Sequence, residues 1–121
     1  DLVPVHLPLT PDTAGFFNAA RFARMKKGAL FINTARGRIV DESALLEALR
    51  AGRLDGAALD VLASETSERG DWLENDPLRA WAGSHDNLIL TPHIGGMTHE
   101  SVERTNLFMI DKLGRALGED T

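Results

Sequence analysis

Three kinds of side chain stand where strand-like runs of this sequence open into loops, and together they could move a proton. In "INTARGRIVDE", Arg36 follows an apolar run by a few residues and precedes Gly37. A guanidinium offers a fixed, bidentate fork for a carboxylate or phosphate. Gly37 would let the backbone approach a ligand or adopt positive φ. The bland alternative is a surface arginine bridged to Asp41 or Glu42. In "GAALDV", Asp60 closes an apolar run. Burying a carboxylate is costly without partners, so Asp60 either caps nearby backbone or meets a ligand. Glu65 shares the following stretch with Glu68, Asp71, Glu74 and Asp76, and composition does not choose among them. His93, in "LILTPHIGG", is either a hydrogen-bonded structural histidine or a base mounted on a strand end. Taken as a set, an arginine is an anion anchor, an acid an orienter and a histidine a proton shuttle. That set suits a substrate with both a carboxylate and an exchangeable hydroxyl proton.

Other chemistries find no footing. The sequence holds no G-x-G-x-x-G, no G-x-x-x-x-G-K-[ST] and no G-x-S-x-G, so it lacks a complete phosphate cradle and a nucleophile elbow. It has no cysteine, which excludes thiolate chemistry and disulfides. His99 and Glu103 have the i, i+4 spacing of a helical metal pair, but two ligands do not make a site. No metal is expected.

The elements that must position these residues read as strands alternating with helices. Val3, Val5 and Leu7 alternate through an opening strand, which stops at "PLTPDTAG". "AARFARMKK" reads as a short helix with Gly28 placed to end it. "ALFIN" (29–33) has the nearly continuous apolar pattern of a strand buried on both faces. Asp41 is a plausible N-cap for "ESALLEALR", where Leu45, Leu46 and Leu49 share one face. Gly52 follows, with Arg50 and Arg53 suited to the negative end of that helix. "GAALDV" (56–61) and "LILT" (88–91) complete four strands. Helices between strands imply right-handed crossovers and a parallel sheet, hence an α/β class with helices over the sheet. Ligands of open sheets bind beyond the carboxyl ends of the strands, where all the residues above fall. The polar stretch 62–87 is longer than a usual connection, with Trp72, Leu73, Leu78 and Trp81 expected to pin part of it. Residues 98–118 read as a long helix with a stripe of Val102, Met109, Ile110, Leu113 and Leu117, while Phe108 falls off that stripe. Either Phe108 is simply exposed, or the helix packs against a second domain or subunit.

The 121 residues suffice for one domain. Hydrophobic residues make up 43% and charged residues 26%, a globular composition. A net charge of −5 argues against a nucleic-acid surface. No apolar run approaches the roughly 20 residues of a membrane span, and no signal-peptide pattern opens the chain. The absence of cysteine fits a cytoplasmic protein, which is expected. The chain starts "DLVPVHLPL", without methionine and already in a strand pattern, which reads as part of something longer.

The run from "HLPLTPDTAGFFNAARFARMKKGALFINTARGRIVDESALLEALRAGRLDGAALDV" to "NLILTPHIGG" resembles the nucleotide-binding domain of the D-isomer-specific 2-hydroxyacid dehydrogenases. The ordered "NTARG", "LDV" and "TPHIGG" blocks make that resemblance specific. It implies a partial doubly wound, Rossmann-like parallel sheet, comprising residues 1–121 as the C-terminal part of a dinucleotide-binding domain. The glycine-rich turn and the substrate domain would lie outside this chain. It implies Arg36, Glu65 and His93 as catalytic residues. Leu7, Pro8, Thr34, Ala35, Arg36, Asp60, His93, Ile94, Gly95 and Gly96 would line the cofactor, with Leu7 and Pro8 on its adenosine side. Gly95 and Gly96 would keep the backbone out of the cofactor's way. The cofactor would be NAD, with NADP equally compatible, and the substrate a small 2-hydroxy or 2-oxo acid. The protein would be a homodimer, without nucleic-acid or membrane partners. Glutamate at position 65 argues against the formate-oxidising branch, which has glutamine there. Thr66 in place of the family's proline, and Leu62 in place of an aromatic, point to a different shape for the loop carrying Glu65. A dinucleotide-sensing protein of the corepressor kind on the same fold is the alternative, since it would retain similar residues.

Overall fold

The computed structural model describes residues 1–65 and 74–118. Four strands, β1 (Leu2–Val5), β2 (Ala29–Asn33), β3 (Leu54–Leu59) and β4 (Leu88–Leu90), form one sheet in the order β1-β2-β3-β4. Every neighbouring pair is parallel. Val3, Phe31, Ala57 and Leu88 lie in one register row, and Val5, Asn33, Leu59 and Leu90 in the next. All four chains therefore leave the sheet at the same edge and the same level. This parallel geometry is what brings loops distant in sequence to one place.

Helices α1 (Ala19–Arg24), α2 (Glu42–Arg50) and α3 (Pro77–Ala82) fill the three connections between strands. Each begins at a side-chain cap: Asn18 accepts from the Arg21 amide, Asp41 from Ala44, and Asp76 from Arg79. The core lies between these helices and one sheet face. Phe31 is fully buried and meets Phe22 and Phe17 edge-on, with ring centroids 5.3 and 5.0 Å apart. Leu45, Leu49, Leu54, Leu59 and Leu78 close round them. A further helix, α4 (His99–Leu117), is capped by the Thr98 side chain and ended by left-handed Gly118.

Several boundaries differ from expectation. β1 ends at Val5, so Leu7 lies beyond it. α1 ends at Arg24, and Gly28 takes its positive φ three residues beyond the Met25 C-cap instead of ending the helix. Arg53, beyond the Ala51 C-cap of α2, does not serve the end of that helix but donates to the Phe22, Ala23 and Met25 carbonyls at the end of α1. β3 spans 54–59, two residues earlier than the apolar run suggests, and the sheet does not reach Thr91. β2 is covered on one face alone. Leu30 is 46% exposed, and Leu2 and Ile89 flank it on the same open face. The stretch read as a loop contains α3, whose Asp76–Pro77 start is an N-cap followed by proline in the first turn. Leu78 is buried there and Trp81 packs on the core, while Trp72 and Leu73 lie outside the described residues.

Candidate active site

The three loops after β2, β3 and β4 build the site. After β2, Asn33 is almost completely buried and its side-chain amide staples the turn that follows. Its carbonyl oxygen accepts from the Ala35 amide at 3.0 Å, and its Nδ2 donates to the Arg36 carbonyl at 3.0 Å. Buried polar groups need such partners, and here they fix the Thr34–Arg36 backbone. Gly37 keeps a negative φ, so the conformational freedom of glycine is not what this position uses. Its role is close approach: a Cβ would lie 2.0 Å from the Leu62 carbonyl carbon and 2.3 Å from the Ala63 nitrogen. The arginine loop and the acid loop are thus packed backbone on backbone.

After β3, Asp60 is buried and both its oxygens are engaged. Oδ1 accepts from the Thr91 hydroxyl and, at 3.0 Å, from the Ile94 amide; Oδ2 accepts from the Gly95 amide at 2.8 Å. Burial alone would raise its pKa. The Thr91, Gly95 and Ile94 hydrogen bonds and the nearby His93 outweigh it and hold the carboxyl below its ordinary value. A Cβ at Gly95 would stand 2.9 Å from Oδ2, so a larger residue there must displace the carboxylate from its cap. Asp60 therefore caps the backbone that follows His93.

His93 itself has φ +56°, the one non-glycine residue among those described in the left-handed region. Such conformations persist where the surroundings over-determine them and gather at functional sites. The two amides bound to Asp60 immediately follow His93 and hold the turn. Its Nδ1 lies 3.0 Å from Glu65 Oε1, with the ring about half exposed and Glu65 mostly covered. Glu65 Oε2 in turn accepts from the Leu62 amide at 3.3 Å. Glu74 is exposed and Asp76 caps α3, so neither meets the histidine; Glu68 and Asp71 lie outside the described residues. A cavity of about 340 Å³ opens beside the pair, lined by Asp60, Leu62, Glu65, Arg79, Leu90, Thr91, Pro92 and His93.

The structure brings Asp60, Glu65 and His93 together but leaves Arg36 apart from them. Arg36 is exposed, and its Nη1 donates to the Ala35 carbonyl at 2.6 Å. It makes no ion pair with Asp41 or Glu42: Asp41 caps α2, and Glu42 accepts from the Ala63 amide at 2.6 Å. Leu7 and Pro8 follow β1 at the same sheet edge, the first partly packed on the core and the second exposed. Thr34 is exposed beside them in the turn held by Asn33, and Ile94, Gly95 and Gly96 are exposed after His93. Two contributors escape a reading by residue type. Asn33 looks like the last letter of an apolar strand, and Glu42 like an ordinary first-turn helix acid. Among the described residues no group of three or more histidines, acids or cysteines is placed to hold a metal. No helix among them is long and apolar enough to cross a membrane.

Comparison with known proteins shows the family to which this fold belongs. Residues 1–95 match the family model described as D-isomer specific 2-hydroxyacid dehydrogenase, NAD binding domain. D-3-phosphoglycerate dehydrogenase 1 of Saccharomyces cerevisiae is 40% identical over 122 residues, a span that covers 98% of this chain and 26% of that protein. Among solved structures, D-lactate dehydrogenase with NAD+ from Lactobacillus jensenii is 33% identical with a TM-score of 0.77, covering 99% of this chain and 38% of that one. A D-isomer specific 2-hydroxyacid dehydrogenase from Xanthobacter autotrophicus Py2, in complex with NADPH and MES, is 47% identical with a TM-score of 0.64, over 77% of this chain and 27% of that one. This chain thus spans about a quarter of the yeast protein's length. With the parallel sheet, the strand-end acid and histidine, and a family match over most of its length, the chain belongs to the D-isomer specific 2-hydroxyacid dehydrogenase family.

Proposed function

We propose that the whole protein is an NAD(P)-dependent dehydrogenase of small D-2-hydroxy acids. The observation that carries this reading is His93, locked in a left-handed turn with Nδ1 on the Glu65 carboxylate. A carboxylate accepts only, so the proton sits on Nδ1 and Nε2 is the free base. His93 Nε2 takes the C2 hydroxyl proton of a 2-hydroxy acid, and returns it when a 2-oxo acid is reduced. Glu65 fixes the tautomer and stabilises the imidazolium. Arg36, free of any ion pair among the described residues, swings from its own backbone to hold the substrate carboxylate bidentately.

A nicotinamide cofactor, when bound, supplies the hydride acceptor or donor. The residues fit one half of such a group. The cavity offers an apolar wall of Leu62, Leu90 and Pro92 against the polar Asp60, Glu65 and His93. Thr34, Ala35 and the His93–Gly96 turn border the same edge, with Leu7 and Pro8 beyond. The glycine-rich pyrophosphate turn is absent from this sequence. We therefore place residues 1–121 as the C-terminal part of the dinucleotide-binding domain, with the rest of the site supplied elsewhere in the whole protein. α4 has no buried residue and exposes Leu107, Phe108, Ile110 and Leu113. It serves as a packing surface for another domain or for the second subunit of a homodimer.

The test is NADH oxidation by the whole protein against a panel of 2-oxo acids: glyoxylate, hydroxypyruvate, pyruvate and phosphohydroxypyruvate. Turnover on at least one is expected. NADH binding without turnover on any would replace the enzyme reading with a dinucleotide sensor.

A further inference from the structure

The segment that leads into Glu65 runs from buried Val61 through Leu62, Ala63 and Ser64. Its anchors decide whether the acid meets the histidine. One is steric, the Gly37 contact with the Leu62–Ala63 backbone. Another is weak: Ser64 Oγ lies 3.5 Å from Asp76 Oδ2. The third is a short hydrogen bond, 2.6 Å, from the Ala63 amide to Glu42 Oε1. Glu42 sits in the first turn of α2, where Asp41 already caps the helix through the Ala44 amide at 3.1 Å. The Glu42 side chain therefore leaves its own helix for a loop 21 residues further along the chain.

The position is electrostatically awkward. Asp41 from the same helix, Asp76 from the head of α3 and Glu65 from the loop all face Glu42. Burial and these three acids push its pKa up, and the Ala63 amide is the interaction opposing them. A first-turn acid serving only the helix dipole would sit in solvent, away from other carboxylates. Here the carboxylate is held among like charges by the loop amide it anchors.

We infer that Glu42 is a positioning residue for the His93–Glu65 pair, fixing the acid loop through the Ala63 amide so that Glu65 meets Nδ1. The inference rests on the proton-shuttle reading of that pair. With the anchor gone, Glu65 drifts and His93 Nδ1 loses its carboxylate partner. Glu42 also places a charge near Glu65, so tether and charge must be separated. Glu42→Gln keeps an oxygen acceptor and removes the charge. Glu42→Asp keeps the charge and falls one methylene short of the amide.

The experiment is a nitrogen NMR measurement of the His93 ring in the histidine-labelled whole protein, comparing wild type, Glu42→Gln, Glu42→Asp and Glu42→Ala. The ring resonances are assigned by their loss in His93→Gln, and kcat is recorded alongside. A ring whose Nδ1–H is held by a carboxylate keeps one tautomer, and a released ring mixes both. That mixing is expected in Glu42→Asp and Glu42→Ala, with the wild-type tautomer kept in Glu42→Gln. Misplacing a catalytic group by an ångström costs up to about a hundredfold, so kcat should drop at least about tenfold in the first two and recover in Glu42→Gln. A His93 ring that keeps the wild-type tautomer in Glu42→Asp overturns the inference. Mixing in Glu42→Gln as large as in Glu42→Ala overturns it too, because charge would then be the cause. Should Glu42→Ala fail to fold, the Asp and Gln pair still decides. The tautomer measurement needs no turnover, so a protein inactive on every acid would sink the proposed function, and the His93 ring would still decide for or against the tether.

Discussion

Both oxygens of Asp60 hold backbone or hydroxyl donors that keep His93 in its left-handed turn. In Asp60→Asn, one oxygen becomes an NH2 facing a donor it can no longer accept from. Leaving such a buried group unsatisfied costs about 1–3 kcal/mol, to be read by urea denaturation of the whole protein. The folded-state pKa of Asp60 is depressed. The stability it contributes is therefore present above the unfolded value of about 3.9 and lost as pH falls through the folded one. Asp60→Asn should flatten the fall in stability below about pH 4; an unchanged slope would remove Asp60 from the acid-labile groups. At this scale the sequence was most legible where a residue type is out of keeping with its run. Asp60 and His93 stand just past the ends of apolar strands, and Arg36 stands between alanine and glycine. Asn33 and Glu42 were illegible for the opposite reason: each suits its local element, and while Asn33 folds back on the turn that follows it, the distant partner of Glu42 is set by tertiary folding alone.

The elements matter because they deliver three loop starts at one level, and the loops then lean on each other. Gly37 is the sharpest instance. Adding a methyl there drives it into the Leu62–Ala63 backbone. Since backbone cannot rotate away as a side chain can, Gly37→Ala should destabilise by about 1–3 kcal/mol and separate the acid loop from the arginine loop. Thermal denaturation and turnover of the whole protein would show both losses; wild-type stability and activity in Gly37→Ala would mean the loops part freely. The strands and α2 follow from apolar patterning and caps: β2 and α2 lie where the sequence places them, with Asp41 as the cap, while the ends of β1, β3 and β4 differ. β3 begins at Leu54 since Asp55 can point outward on an edge-of-element position that composition does not mark. α3 was hidden in a polar stretch, yet its Asp76–Pro77 start and buried Leu78 are helix signals at the shortest scale. The reading of 29–33 as buried on both faces fails because this chain covers one face only, leaving Leu30 open.

At the scale of the molecule, the described residues leave two apolar surfaces uncovered, the open sheet face of Leu2, Leu30 and Ile89, and the side of α4 with Phe108 and Ile110 more than 60% exposed. Contiguous apolar surface of this kind marks a contact. The 121-residue chain alone should associate with rising concentration in sedimentation velocity, and Phe108→Glu with Ile110→Glu should weaken that association. A monodisperse monomer at all concentrations would contradict it. Without a pyrophosphate turn, the same chain should bind NADH more weakly than the micromolar range, and a micromolar titration would contradict that in turn. The off-stripe Phe108 was visible in the sequence; which surface covers it was not, since a partner leaves no periodicity of its own.

The central claim is that His93 moves the proton that accompanies hydride transfer. It is tested most directly by single-turnover NADH oxidation with the preferred 2-oxo acid, in the whole protein and its His93→Ala variant, with NADH affinity measured beside it. A general acid–base group contributes about 10²–10⁴-fold. The expected result is a loss of that size with NADH binding retained. A His93→Ala variant that oxidises NADH at the wild-type rate would contradict the claim outright.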